Sequence, residues 1–409
     1  MASVPAANLC IFPILSLLLL QLPGEAVDAL RRGPSSNAAC WVNSSNLRGI
    51  VVGSASRTLS SKGTTSQTTQ RGPARHGKRA ASMMVAATSA AKARRKENVP
   101  GNLFVDESCI NCDTCRWMQG DTFVSAGGKS AVARQPTSDE EKRGAYRAMF
   151  ACPTSSIRVE TADPIAKDAL NDFPFPVDAD RLPGVFHLGF HAENSFGCSP
   201  WFVQRPEGNV MMDSPRFHAS LAKALERKGG VSLMVMSHID DVGDHQRWKE
   251  RFPEMRRVMH KADVQRYGDT KNIEVQLGES SADGRIDGLD YWDLAEDLRV
   301  LHTPGHSLGS ITLLFNPSPT PEGSSGEDEG IAFTGDHLAM SGRTGALTGF
   351  PMYGHDHVMQ SKSMELLVQP EVKFRWILPG HGRMIRFSSH DDRVSQIKAA
   401  AAHIKAGRS

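Results

Sequence analysis

Four stretches in the second half of the chain carry imidazoles and carboxylates directly after apolar runs. They are Ser237-His238-Ile239-Asp240-Asp241-Val242-Gly243-Asp244-His245, Thr303-Pro304-Gly305-His306, Thr334-Gly335-Asp336-His337 and Pro379-Gly380-His381-Gly382. Imidazole and carboxylate are the donors that zinc and iron accept. A histidine taken singly is more commonly a surface or core residue, so it is the ordered set that points to a metal. A second constellation lies upstream: Cys109, Cys112 and Cys115, with Cys152 standing before Pro153. The C-x2-C-x2-C run with a remote Cys-Pro is the spacing of an iron–sulfur site. Zinc is the alternative, but it would normally bring a second paired knuckle. Arg116 to Gln119 holds no further cysteine, so a single cluster is expected, closed by Cys152.

These residues need elements to bring them together. Val231 to Met236 reads as a buried strand running into His238, Arg299 to Leu301 as the end of a strand before His306, Ile331 to Thr334 as one before Asp336, and Phe374 to Leu378 as one before His381. Strand ends on one sheet edge converge, so Gly- and Pro-bent loops that follow them can meet at one point. Gly184 to Gly189, Trp201 to Gln204 and Asn209 to Asp213 read as further neighbouring strands. Phe217 to Lys228 and Asp391 to Lys405 have helical patterning, and a helix is expected to start at Asp244 or His245. Upstream, Asp139 to Phe150 has helical spacing and Ser156 to Glu160 is strand-like. The stretch Asn316 to Gly330 reads as a solvated insertion. Leu347 to His357 is placed to form part of a pocket wall.

The cysteine segment resembles a single-cluster [4Fe–4S] ferredoxin domain, expected over residues 99–165 as a small α+β unit. The four-motif order resembles the metallo-β-lactamase superfamily, especially its glyoxalase II-like hydrolase branch, over about residues 184 to 388. The resemblance implies an α/β fold, an αββα sandwich, expected over residues 180–395. It also implies a dinuclear site. The family's first histidine falls on His238, and its second is replaced by Asp240, with Asp241 able to serve instead. A two-residue insertion then precedes Asp244-His245, and the remaining family ligands fall on His306, Asp336 and His381. On this reading His238, Asp240 and His306 hold one metal, Asp244, His245 and His381 hold the other, and Asp336 bridges.

The implied chemistry is hydrolysis of an ester, thioester or related bond in a small-molecule substrate. A metal-bridging hydroxide would be the nucleophile, and Asp244 would both ligate and orient it. Two zinc or iron ions are expected beside the one [4Fe–4S] cluster. The carboxylate at position 240 makes the site more oxygen-rich, which suits iron, and flavodiiron proteins of the superfamily also use a carboxylate there. A diiron-type oxidoreductase fed by the cluster, with an electron-transfer partner, is therefore the rival reading; a non-catalytic metal-binding or electron-carrier protein is the third. His337 is expected beside the ligands. His302, His355 and His357 are expected outside the site, and Cys198 has no evident role.

The whole-chain balance is consistent with this. A net charge of +2 over 409 residues does not point to nucleic acid, and 40% hydrophobic residues suffice for ordinary cores. Seven cysteines, an odd number with three clustered, suit a reducing compartment rather than a disulfide scaffold. Ala29 to Lys96 contains no Asp or Glu but about a dozen Lys and Arg, the composition of a transit peptide. Leu9 to Leu20 ahead of it is apolar but too short to span a membrane. Residues 1–98 are thus expected to be a disordered, bipartite leader to a plastid (chloroplast), with no membrane association once it is removed. A nucleic-acid-binding tail and simple secretion are the competing readings of this segment.

Overall fold

The computed structural model describes residues 93–265, 268–316 and 330–407. Almost all of the expected leader and most of the Asn316–Gly330 insertion lie outside the described residues.

The first part is small. Leu103–Val105 pairs antiparallel with Ile157–Val159. Phe123–Ala126 and Lys129–Val132 form a hairpin whose two turn residues, Gly127 and Gly128, have φ of 57° and 78°. Two left-handed residues in succession are what a tight hairpin turn needs, and glycine adopts them without strain. Helix Asp139–Ala151 starts at a capping box between Ser138 and Glu141 and runs directly into Cys152. Its buried residues, Ala145, Tyr146 and Ala148, pack with Leu103, Val105, Phe123, Val132 and Ile157.

The larger part contains, among the described residues, two seven-stranded sheets. One runs in the order Val275–Leu277, Arg256–His260, Leu233–Val235, Val210–Met212, Trp201–Val203, Val185–His187, Phe175–Pro176, with its first four strands mutually parallel. The other runs Gly284–Ile286, Leu289–Ala295, Leu298–His302, Ile311–Phe315, Ile331–Gly335, Trp376–Pro379, Ile385–Arg386. It is antiparallel except where Ile331–Gly335 meets Trp376–Pro379.

Period-two alternation explains how the sheets stack. Leu233 and Val235 pack in one core with Trp201, Val203, Ile311, Leu313, Phe315 and Phe333, which come from both sheets. The residues between them face outward. Phe202, Met211 and Met234 meet Leu221, Leu225 and Trp248 of helices Ala219–Arg227 and His245–Arg251. On the opposite side Leu314, Ala332 and Ile377 meet Met364, Ile397, Ala401 and Ile404 of helices His357–Leu366 and His390–Lys405. Strands covered on both faces read as continuous apolar runs, as these do. The result is an α/β fold, an αββα sandwich.

The small part docks on the sandwich through polar ties. Arg383 Nε donates to Asp113 at 2.7 Å. Arg216 donates to the Pro153 carbonyl at 3.2 Å and the Ser155 hydroxyl at 3.3 Å. His191 N–H donates to the Ala151 carbonyl at 3.2 Å.

Candidate metal centre and cluster site

His238 follows strand Leu233–Val235, His306 follows Leu298–His302, Asp336 follows Ile331–Gly335 and His381 follows Trp376–Pro379. The expected convergence occurs. The His238 and His306 rings meet edge to face with centroids 4.7 Å apart. The Asp336 carboxylate sits between His306, with Nε2 at 3.6 Å, and His381, whose Nδ1 is 2.7 and 2.9 Å from the two oxygens. His238 lies 3.8 Å from Asp240 and 3.7 Å from Asp241. Both of the aspartates weighed at this position therefore reach the site. Asp240 is half-exposed at its mouth, whereas Asp241 is fully buried.

Several donor atoms here are buried without any hydrogen-bond partner: His238 Nε2, His306 Nδ1, His381 Nε2 and both oxygens of Asp241. Leaving such groups unsatisfied is costly. Donor atoms of His238, Asp241 and Asp336 lie within 4.8 Å of one another, as do those of His238, Asp240 and His306. The donor set fits metal ions.

The electrostatics agree. Burial pushes His238 down to about 3, which keeps its imidazole neutral. Burial and the neighbouring Asp336 hold the Asp241 carboxyl well above its usual range. Against the downward pull of burial, Asp336 and Asp241 lift His381 to about 10. Crowded carboxylates that can ionise together only beside a cation are what a metal relieves. The Ser237 hydroxyl lies 2.9 Å from His238 Nδ1, fixing the ring with Nε2 toward the site. Gln360 Nε2 donates to the His337 carbonyl at 3.0 Å and the Gly349 carbonyl at 2.7 Å, tying the Asp336 loop to the pocket wall.

Two expected ligands, Asp244 and His245, are not among the donor groups that converge here. Asp244 accepts a hydrogen bond from the Phe217 N–H at 2.7 Å and lies 3.6 Å from Arg247. His245 is buried with Nδ1 3.0 Å from the Arg257 guanidinium, and burial, reinforced by Arg257, lowers it to about 4. The turn at Ile239–Asp241 is the physical reason. It swings Asp241 inward and leaves the following residues to start helix His245–Arg251 on the outer face. Asp244→Ala is therefore expected to leave the metal content unchanged and to cost about 1–3 kcal/mol of stability through the orphaned Phe217 N–H, read from denaturant midpoints.

His337 is buried beside the site, as expected. His302 is turned away, its Nε2–H donating to the Leu308 carbonyl at 3.0 Å and its ring stacking on His260. Two residues near the centre had no assigned role. Asp213, also at a strand end, accepts from the Ser237 N–H at 2.7 Å; burial pushes its carboxyl up to about 7. The strand-end rule that found the other ligands would have flagged it. Cys198 comes from the loop before Trp201–Val203, and nothing in its sequence context marks it.

Cys109, Cys112, Cys115 and Cys152 are all free thiols. Left-handed residues Asn111, Asp113 and Ser155, with φ of 63°, 68° and 51°, bend the two loops so that backbone N–H groups reach sulfur. Ser156 N–H donates to Cys152 Sγ at 3.3 Å and Asn111 N–H to Cys109 Sγ at 3.5 Å. Burial, with Cys152 and Cys109 nearby, pushes the Cys112 thiol up to about 11. Four cysteines gathered in this way fit an iron–sulfur cluster, whose cationic iron would hold them as thiolates.

One cleft of about 1180 Å³ opens on both centres: Cys112 and Asp113 lie on one wall, and Asp240, His306, Asp336 and His381 lie on the other. Phe350 and Tyr353 of the expected wall segment line it too. Between the centres passes Gly197, with φ of 91°. A Cβ there would stand 3.0 Å from Cys112 Cβ and 3.1 Å from Pro153. Gly197→Val should therefore lower cluster occupancy, measured as visible absorbance per chain, while sparing the sandwich strands.

Fold and site thus define an αββα sandwich whose converging donors fit metal ions, joined to a unit whose four cysteines fit an iron–sulfur cluster. Residues 105–159 match the family described as the 4Fe-4S single cluster domain of Ferredoxin I. No curated protein matches the chain. Solved structures similar to it include the metallo-β-lactamase FIM-1 from Pseudomonas aeruginosa in a mono-zinc form, at 15% identity and TM-score 0.36, covering 50% of this chain and 84% of that one. They also include DIM-1 metallo-β-lactamase exposed to ceftazidime, at 16% identity and TM-score 0.37, covering 55% and 95%. A third is BJP-1, a subclass B3 metallo-β-lactamase of Bradyrhizobium japonicum, at 14% and 0.36, covering 55% and 90%. These likenesses are too distant to bear on the activity.

Proposed function

We propose that the chain is a metal-dependent hydrolase of a small ester, thioester or related substrate bound in the cleft between the two centres. The observation that carries this reading is the set of unpartnered, buried donors on His238, Asp241, His306 and His381 around Asp336, of which His306 and His381 line that cleft together with Asp336. When bound, a metal pair at these residues supplies Lewis acidity and an acidified water near neutral pH. The protein's own groups do the rest. His238, Asp240 and His306 form one ligand set; Asp241 and His381 belong to the other, and Asp336 lies between them. Asp241, with Oδ1 free of hydrogen bonds, is placed to ligate and to orient the nucleophile, the role expected of Asp244. The Arg383–Asp113 pair fixes the cluster loop as the opposite wall, which narrows access of bulk water to the reacting bond.

A second reading has a specific observation behind it. Gly197 packs on Cys112 while its neighbour Cys198 faces Asp241 and Asp336, so reduction of the sandwich metals through the cluster has a short route. In that case an electron-transfer partner would dock at the exposed Ile110 edge. The leader composition supports a plastid location for either activity.

The experiment is a panel of chromogenic esters, thioesters and phosphodiesters presented to the anaerobically prepared full chain. Turnover is expected without added reductant and should vanish in Asp241→Asn. Turnover of none of these, with electrons instead passing from the reduced cluster to oxygen in an Asp336-dependent way, would replace the hydrolase with the second reading.

A further inference from the structure

The loop 191–199 is clamped against the His381 loop by a hydrogen bond from Ser199 N–H to the Gly380 carbonyl at 2.7 Å. It delivers the Cys198 side chain to the interior, 2% exposed. A buried free cysteine is usually a small apolar filler. This one is surrounded by carboxylates instead. Donor atoms of Cys198, Asp213 and Asp241 lie within 4.8 Å of one another. The Gly380 backbone packs against the same groups, so no side chain fits at this position. A Cβ built there would stand 2.7 Å from Asp241 Oδ2, 2.9 Å from Asp336 Oδ1 and 3.2 Å from Cys198 Sγ.

The thiol makes long contacts of 3.8 Å to the Ser199 carbonyl and Asp213 Oδ2 and interacts with the Asp241 carboxyl. Both oxygens of Asp241 are buried beside it and accept no N–H or O–H hydrogen bond. Asp213 is otherwise engaged, since its Oδ1 accepts the Ser237 N–H. We propose that Cys198 supplies a thiolate ligand, together with Asp241 and Asp336, to one of the two metals of the sandwich site. Binding replaces the S–H bond by a sulfur–metal bond and releases that proton to solvent.

A thiolate changes which metal the position prefers. Soft sulfur suits zinc and disfavours magnesium, calcium and manganese, which take oxygen. Asp240 at the mouth makes the other position oxygen-rich, so the two positions differ in character. The inference rests on the metal-site reading above and adds a ligand and a metal preference to it.

The test is zinc-edge X-ray absorption of the zinc-loaded full chain with its cluster intact, verified by iron and sulfide content. The cluster's sulfurs bind iron and do not contribute at the zinc edge. The expected result is a sulfur shell at about 2.3 Å beside nitrogen and oxygen at about 2.0–2.2 Å, with roughly one sulfur for each pair of zinc ions. Cys198→Ser should remove the sulfur shell and lower zinc retention toward half, with cluster absorbance unchanged. Zinc retained in the wild type with only nitrogen and oxygen neighbours overturns the thiolate ligand and leaves the metal site standing. So does a sulfur shell that persists in Cys198→Ser. Failure of the wild type to retain any zinc outside the cluster overturns both.

Discussion

Asp336→Ala is expected to empty the sandwich site of metal while leaving the cluster's visible absorbance intact. Asp336 is the group on which the site converges: it lies between His306 and His381, and its Oδ1 also accepts the His381 backbone N–H at 3.1 Å. Removing it leaves the His381 ring and backbone donors without their acceptor and takes away the charge that holds His381 protonated in the metal-free protein. Even a residue that only supports a metal ligand costs about 10–100-fold in affinity or activity when lost. A carboxylate between two ligand sets should exceed that. Metal content per chain and hydrolytic turnover should fall together. A fall in turnover at unchanged metal content would instead assign Asp336 to substrate binding.

Cys152→Ser is the other large effect. Serine keeps the shape but offers no soft thiolate, so a cluster that needs four cysteines should be lost, with absorbance and iron content falling to background. Stability should fall with it. Cys152 caps helix Asp139–Ala151, and the adjoining Pro153 carbonyl and Ser155 hydroxyl receive Arg216 from the sandwich. Each kcal/mol lost lowers the unfolding midpoint by about 2–4 °C for a domain of this size, so calorimetry on the full chain reads the coupling. An unchanged midpoint would mean that the cluster does not brace the contact between the two parts.

The contrast between these two sites shows what the sequence could disclose. Cluster ligands are close in the chain, so Cys109, Cys112 and Cys115 declare themselves by spacing, and Cys152 by the proline after it. The candidate sandwich ligands His238, His306, Asp336 and His381 were legible because each follows a buried strand, and such strands are unbroken apolar runs. Asp244 and His245 were expected at the site by counting along the motif, but they are not among the donors that converge there. Counting assumes a continuous path, whereas the Ile239–Asp241 turn uses the inserted residues to bury Asp241 and send the chain outward. Cys198 and Asp213 join the centre only through tertiary packing: one from a loop held by the Gly380 carbonyl, the other behind Ser237. The shared cleft was not legible either, because it depends on docking through Asp113–Arg383 and the close approach at Gly197, which no local pattern encodes.

A metal site in the sandwich is expected to face a cluster in the small part across the shared cleft. Metal analysis of the anaerobically purified full chain, with its ultraviolet–visible spectrum, tests this most directly. The prediction is one [4Fe–4S] cluster per chain, with its absorbance, together with about two further metal ions that are lost in His238→Ala and retained in His245→Ala. A chain carrying the cluster alone, or further metal that survives His238→Ala and disappears in His245→Ala, would contradict it.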